Sequence, residues 1–186
     1  MVLCWCRFEE SDVSSRVTLK GSVQKAIRKE VVAGCPEIKD YLDDIVPKGS
    51  LEECRCRTDG QKVSLVVVNQ CPVLFTSKHL PYVPTLRTLH KYPRMLKAVR
   101  MDTGAISFIM KGADVMAPGL LTAGGYLPDG LAEGDIVALF CEGRKLPVAI
   151  GRMMETSEKI KESRSGKVIE VLHYLGDNLW HLTSIA

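Results

Sequence analysis

Cysteine and histidine are the residues best able to ligate a metal or do chemistry here, and the chain of 186 residues carries seven and four of them. The thiols form two close pairs, Cys4-x-Cys6 and Cys54-x-Cys56. Zinc sites need four ligands, and paired cysteines in them are usually spaced by two to four residues. Here one residue intervenes, and Arg55 and Arg57 would crowd positive charge onto the second pair. On a strand Cys54 and Cys56 would face the same side, so the pairs are expected to be buried free thiols and not a metal site. The histidines, His79, His90, His173 and His181, stand outside any H-E-x-x-H or C-x-x-C-H arrangement. No G-x-S-x-G elbow occurs, and no motif positions a pair of carboxylates. The expectation is a protein that is not an enzyme and carries no cofactor.

The stretch GADVMAPG, Gly112 to Gly119, invites a nucleotide reading and fails it. A P-loop needs Lys-Ser or Lys-Thr after its last glycine, where Leu120-Leu121 stand, and the G-x-G-x-x-G spacing is absent. A plain turn and a surface for something other than a nucleotide both stay open.

Charge is local. From Thr85 to Lys111 the bases are Arg87, Lys91, Arg94, Lys97, Arg100 and Lys111 against the single acid Asp102, a local +5 in a chain of net +3. Clustered Arg and Lys beside His90 and Tyr92 suit a phosphate-backbone surface. An ordinary solvated helix face accounts for the same count.

Several elements must position these residues. Val23, Ala26, Ile27 and Val31 define one helical face, with Gly34 as a stop and Pro36 opening a second helix that turns Ile38, Tyr41, Leu42 and Ile45 inward. Asp40, Asp43 and Asp44 make its outer face acidic, a solvated face or a docking patch. CRCRT, KVSLVVV and PVLFTS read as strands separated by Asp59-Gly60 and Asn69-Gln70. VPTLRTLHKYP reads as a short helix capped by Thr85, with Leu86 and Leu89 in the core. Beyond Lys97, GAISFIMKG places Ile106, Ile109 and Met110 on one helical face. DIVALFC and LPVAIGRM are strands, TSEKIKES favours helix, and VLHYLGDNLWHLT reads as a final hairpin. Hydrophobic content of 46% supports a substantial core. No secretory leader or run of ~20 apolar residues is visible, so a soluble intracellular protein is expected. Short strands with glycine-rich turns suggest a partly open β-barrel behind a first domain, the two packed together near Lys97.

The residues from Val99 to Met153 carry a resemblance. They include Asp102, Gly104 and Ala105, then Gly112, Ala113, Val115, Met116, Pro118 and Gly119, then Gly134, Asp135 and Val137, and finally Pro147, Val148, Ala149 and Gly151. In that order they resemble a PUA domain, the RNA-binding module named for pseudouridine synthases and archaeosine transglycosylases. With YVPTLRTLHKYP upstream and HYLGDNLWHL at the end, nearly the whole chain is similar to the malignant T-cell-amplified sequence family.

The resemblance implies an α+β fold, a small α/β N-terminal domain over residues 1–96 packed on a C-terminal PUA β pseudobarrel over 97–176. Residues 177–186 would form a C-terminal strand packing back on the body. It implies a cytoplasmic translation factor that works with a separate partner, the density-regulated protein, on the small ribosomal subunit, touching rRNA and tRNA in reinitiation, non-standard initiation and recycling of deacylated tRNA. The RNA side would comprise Gly104, Ala105, Lys111, Gly112, Ala113 and Asp114, with Val115, Met116 and Pro118 serving as core and turn. Arg87, Lys91, Arg94 and Lys97 extend it on the charge count alone. A PUA-containing RNA-modification protein or accessory subunit is the alternative. MVLCWCRFEES, the C-x-C pairs and the glycine pair in LLTAGGY depart from the family pattern.

Overall fold

The computed structural model describes residues 5–49, 51–58 and 60–185. Cys4 and Asp59, invoked above, lie outside the described residues. The chain opens with a 3-10 turn and strand β1 (Val13–Thr18), then helix α1 (Gly21–Gly34), a 3-10 helix (Pro36–Tyr41) and the short α2 (Leu42–Ile45). Strands β2 (Leu51–Thr58), β3 (Gln61–Val68), β4 (Cys71–Ser77) and β5 (Leu80–Pro84) follow, then α3 (Leu86–Lys91). These five strands form one antiparallel meander in chain order, with α1 against β5.

The β3–β4 turn places Asn69 and Gln70 at φ 49° and 67°. Two consecutive left-handed residues are what a twist-matched two-residue hairpin turn requires. Thr85 caps α3 by accepting from the Thr88 amide, and Leu86 and Leu89 are buried, as the sequence predicts. The first helix differs from expectation. Its buried face is Gln24, Ile27 and Val31, while Val23 is 42% exposed. The cause is polar: the Gln24 amide donates to the carbonyls of Leu19 and Gly49 at 2.8 and 2.6 Å, turning that residue inward.

Cys54 and Cys56 sit on the buried face of β2, with Arg55 and Arg57 alternating outward. Burial pushes the Cys56 thiol up to about 12 and raises Cys54 as well, so both are protonated, unreactive core residues at neutral pH. Among the described residues no cluster of three metal-ligating side chains occurs, and no helix is long and apolar enough to cross a membrane.

The second half begins with β6 (Lys97–Met101), a 3-10 turn (Thr103–Ala105), α4 (Ile106–Ile109), β7 (Val115–Met116) and α5 (Pro118–Leu121). It continues through β8 (Ile136–Cys141), β9 (Ala149–Met153), α6 (Ser157–Ser163), β10 (Lys167–Tyr174) and α7 (Asn178–His181). The sheet order is β6-β8-β9-β10-β7, with β6 and β8 parallel and the other pairs antiparallel. This sheet curls around its own core of Val137, Leu139, Ala149, Ile169 and Val171. Its outer face supplies Ile136, Ala138, Ile150 and Leu172 to the core of the first domain. Burial on both faces explains why IVALFC is apolar at nearly every position instead of alternating.

The predicted final hairpin is absent. VLHY lies within β10, but DNLWH forms α7, because Asp177 accepts from the Trp180 amide at 2.8 Å and starts a helix. Where a C-terminal strand is expected over 177–186, the described residues 177–185 form a helix and a tail. The tail does return to the first domain, where the Ile185 amide donates to the Gln70 carbonyl at 2.8 Å and Arg16 donates to the Ile185 carbonyl at 3.1 Å.

At the seam, Phe75 of the first sheet meets Trp5 and His173 edge-on, at ring separations of 5.5 and 6.0 Å. His173 is itself held through Nδ1 to Asp177 at 2.7 Å. Replacing Phe75 by Ala should cost roughly 3–5 kcal/mol, measured by urea unfolding. A cost below ~1 kcal/mol would mean that this contact does not bind the halves together.

Candidate nucleic-acid interface

Between α4 and β7 lies a groove of about 500 Å³, lined by residues from Asp102 to Gly119 and by Lys167. Its geometry starts with Asp102, whose carboxylate caps the 3-10 turn by accepting from the Ala105 amide at 3.0 Å and takes the Thr122 hydroxyl at 2.6 Å. The floor is small, made by Gly104, Ala105, Ala113 and Gly119. Small residues there leave backbone open to a ligand's close approach. Gly112 ends α4 at φ +79°, with its amide on the Ile109 carbonyl at 2.9 Å and that of Ala113 on Phe108 at 3.1 Å. A Cβ at this glycine would sit 3.1 Å from the Tyr174 ring, so both conformation and space select glycine.

The rim is apolar and exposed. Phe108 is 65% and Met116 47% exposed, unusual for large hydrophobic side chains on a small protein. Lys111 is exposed in the turn after α4, and Lys167 closes the other side. Met116 corrects the sequence expectation of core or turn. In the two-residue β7, successive side chains point to opposite faces, so Val115 is buried and Met116 points out. Phe108 and Lys167 were missed because Phe108 breaks the helical face read from Ile106, Ile109 and Met110, and Lys167 comes from a distant strand.

Of the motif-derived candidates, Gly104, Ala105, Ala113 and Asp114 line the groove, while Lys111 and Gly112 stand in the adjoining turn. Asp114 is committed to structure: it accepts from the Val171 amide at 3.1 Å and pairs with Lys167 at 3.3 Å. The upstream cations are not brought to this groove. Lys97 and Asp102 bracket β6, a strand that spans about 16 Å. Lys97 pairs with Asp135 at 3.2 Å. Arg87 donates to the Trp180 carbonyl at 2.8 Å and lies 4.4 Å from that ring's centroid, a cation–π contact pinning α3 to α7. Lys91 and Arg94 are exposed on the α3 side of the seam. His90 completes the seam by bonding the Pro147 carbonyl at 2.8 Å.

A barrel whose small-residue groove lies between a short helix and an edge strand, behind a meander domain, is the architecture of a pre-PUA and PUA pair. A Pre-PUA-like domain is matched over residues 8–93 and the eIF2D PUA domain over residues 96–178. The chain belongs to the family of Translation machinery-associated protein 20 and Malignant T-cell-amplified sequence 1. It is 37% identical over 180 residues to Translation machinery-associated protein 20 of Saccharomyces cerevisiae, covering 95% of this chain and 97% of that one. To Malignant T-cell-amplified sequence 1 of Rattus norvegicus it is 36% identical over 178 residues, covering 95% and 96%. A hypothetical protein of Pyrococcus horikoshii superposes with a TM-score of 0.71 at 26% identity, over 91% of this chain and 100% of that one.

Gly112→Ala should lower stability by about 1–2 kcal/mol, the cost of a Cβ in left-handed backbone, read by thermal or urea unfolding. An unchanged midpoint would show that the turn relaxes freely and that glycine there is not a structural requirement.

Proposed function

We propose that this protein is an RNA-binding translation factor that works by placement on the small ribosomal subunit. The observation that carries the reading is the groove: a floor of glycine and alanine, an exposed aromatic rim at Phe108, and lysines on either side, in a chain whose relatives are named for the translation machinery. Phosphates would be held by Lys111 and Lys167, and an unstacked base would rest on Phe108. Nothing in this work needs a nucleophile or a general base. The protein contributes position, and chemistry happens elsewhere.

The finer reading is that it acts in the cytoplasm with a density-regulated-type partner supplied in trans. Together they would support reinitiation, non-standard initiation and removal of deacylated tRNA after termination. The support is membership of a family with that implied role. Lys91 and Arg94, exposed beyond the groove, would add rRNA contacts from the seam. Arg87 would serve mainly to fix the seam, and Lys97 is paired with Asp135 within the second half.

The test is binding to purified small ribosomal subunits across a salt series, with and without the partner, for wild type and two variants. Phe108→Ala should weaken binding by about 1–3 kcal/mol if a base stacks there. Lys111→Glu should weaken it and reduce the log–log salt slope by roughly 0.7–0.9. Wild-type protein that ignores the subunit under every condition would overturn the reading.

A further inference from the structure

Two neighbouring hollows, of about 490 and 430 Å³, share Lys62, Ser77 and Lys78 and so form one continuous groove. It runs from the β1–β2 edge of the first domain across the seam to the outer face of β9 and β10. Among the described residues its charged lining is Arg55, Arg57, Lys62, Lys78 and Arg152 against the carboxylate of Glu170, with Arg55 also paired to Glu53 beside it. The groove is basic, in a chain whose whole net charge is +3.

Three details separate this groove from an ordinary solvated sheet face. Arg57 and Lys62 are directly opposed in the β2–β3 register, both exposed. Like charges facing each other across a ladder are destabilising, and neither forms an ion pair among the described residues; nor does Lys78. Charge is also segregated along β2. Glu52 and Glu53 hold Arg16 and Arg55 toward one end, and Arg57 at the other end has no ion pair among the described residues. Finally, the groove is built across the seam. Arg152 donates to the His79 carbonyl at 3.1 Å and pairs with Glu170 at 2.5 Å, so one side chain from β9 fixes the first domain's β4–β5 turn against β10.

We infer that this groove is a second RNA contact surface, which takes the phosphodiester backbone and not the bases. The inference rests on the RNA-binding reading above and deepens it. Among the described residues the lining offers cations and serine and threonine hydroxyls, and its one ring is the His79 imidazole, with no Phe, Tyr or Trp, so its chemistry suits phosphate over base edges. Lys167 lines the groove beside α4 and Glu170 lines this one; they stand three positions apart on β10, about 10 Å along the strand, with side chains leaving it on opposite faces. An RNA element that reaches both would bend around the end of β10 beside β7: bases at Phe108, backbone along Lys62 and Lys78. The groove requires docked domains, since its wall crosses the seam.

The experiment measures binding of the full chain to a 20-nucleotide RNA hairpin with a single-stranded tail, and to small ribosomal subunits, over a salt series. The Arg57→Glu/Lys62→Glu/Lys78→Glu variant is compared with wild type and with Phe108→Ala. Expected are a loss of roughly tenfold or more near 0.1 M salt and a salt slope smaller by about 2, three contacts at ~0.7 each. A single Lys62→Glu change adds a readout that damage to the fold would not give. It places opposite charges across the ladder, so its thermal midpoint should stay level or rise while RNA binding weakens. Triple-variant binding and slope equal to wild type, with Phe108→Ala still impaired, would overturn this inference and leave the function standing. Loss of a protein partner with RNA binding intact would also overturn it, in favour of a protein-docking face. Wild type that binds neither RNA nor subunits would overturn both.

Discussion

Burial of β8 and β9 on both faces is the constraint on which the surface of this protein depends. Alternate residues of β8 serve two cores: Val137 and Leu139 close the barrel, while Ile136 and Ala138 enter the core of the meander domain. Each such side chain removed from water contributes on the order of 1.5–3 kcal/mol for the larger aliphatics, and half of that gain exists only while the domains are docked. The seam is thus a continuation of the hydrophobic core, unlike a typical polar interdomain contact. Around its edge, Arg87 on Trp180, His90 on Pro147 and Arg152 on His79 and Glu170 set the orientation.

That rigidity gives the surface its meaning. The small-residue groove hangs from β7 and the start of β10, and the basic groove crosses from the meander to the middle of β10. Because β10 is paired to β9 and to β7, the two surfaces keep a fixed separation. A protein that works by position needs its contacts set in advance, so that ordering them does not consume binding energy.

The sequence made much of this legible where the information is local. Thr85 announces a cap and Asn69-Gln70 a hairpin turn, while GADVMAPG is legible as more than a turn only through its resemblance to a PUA domain. DIVALFC reads as a strand, and its burial on both faces emerges only in the fold. Legibility fails where register decides. Arg57, Lys62 and Lys78 belong to three chain segments, and only the pairing of β2, β3 and β4 gathers them. A count of charge along the chain instead favours residues 85–111, where the fold commits Arg87 to the seam and Lys97 to an ion pair with Asp135. Gln24 inside, Val23 outside and a helix at Asn178 follow the same logic: single hydrogen bonds to Leu19, Gly49 and Asp177 outweigh patterns read from hydropathy.

On the proposed function, one RNA element spans both domains through two surfaces held in register by the seam. Amide hydrogen exchange of the protein, free and bound to small ribosomal subunits, tests it most directly. The account predicts slowed exchange in three places on binding: around Arg57–Lys62, at the Lys78–His79 turn, and from Gly104 to Met116. Slowing confined to one domain, or to the acidic face of Asp40, Asp43 and Asp44, would contradict it.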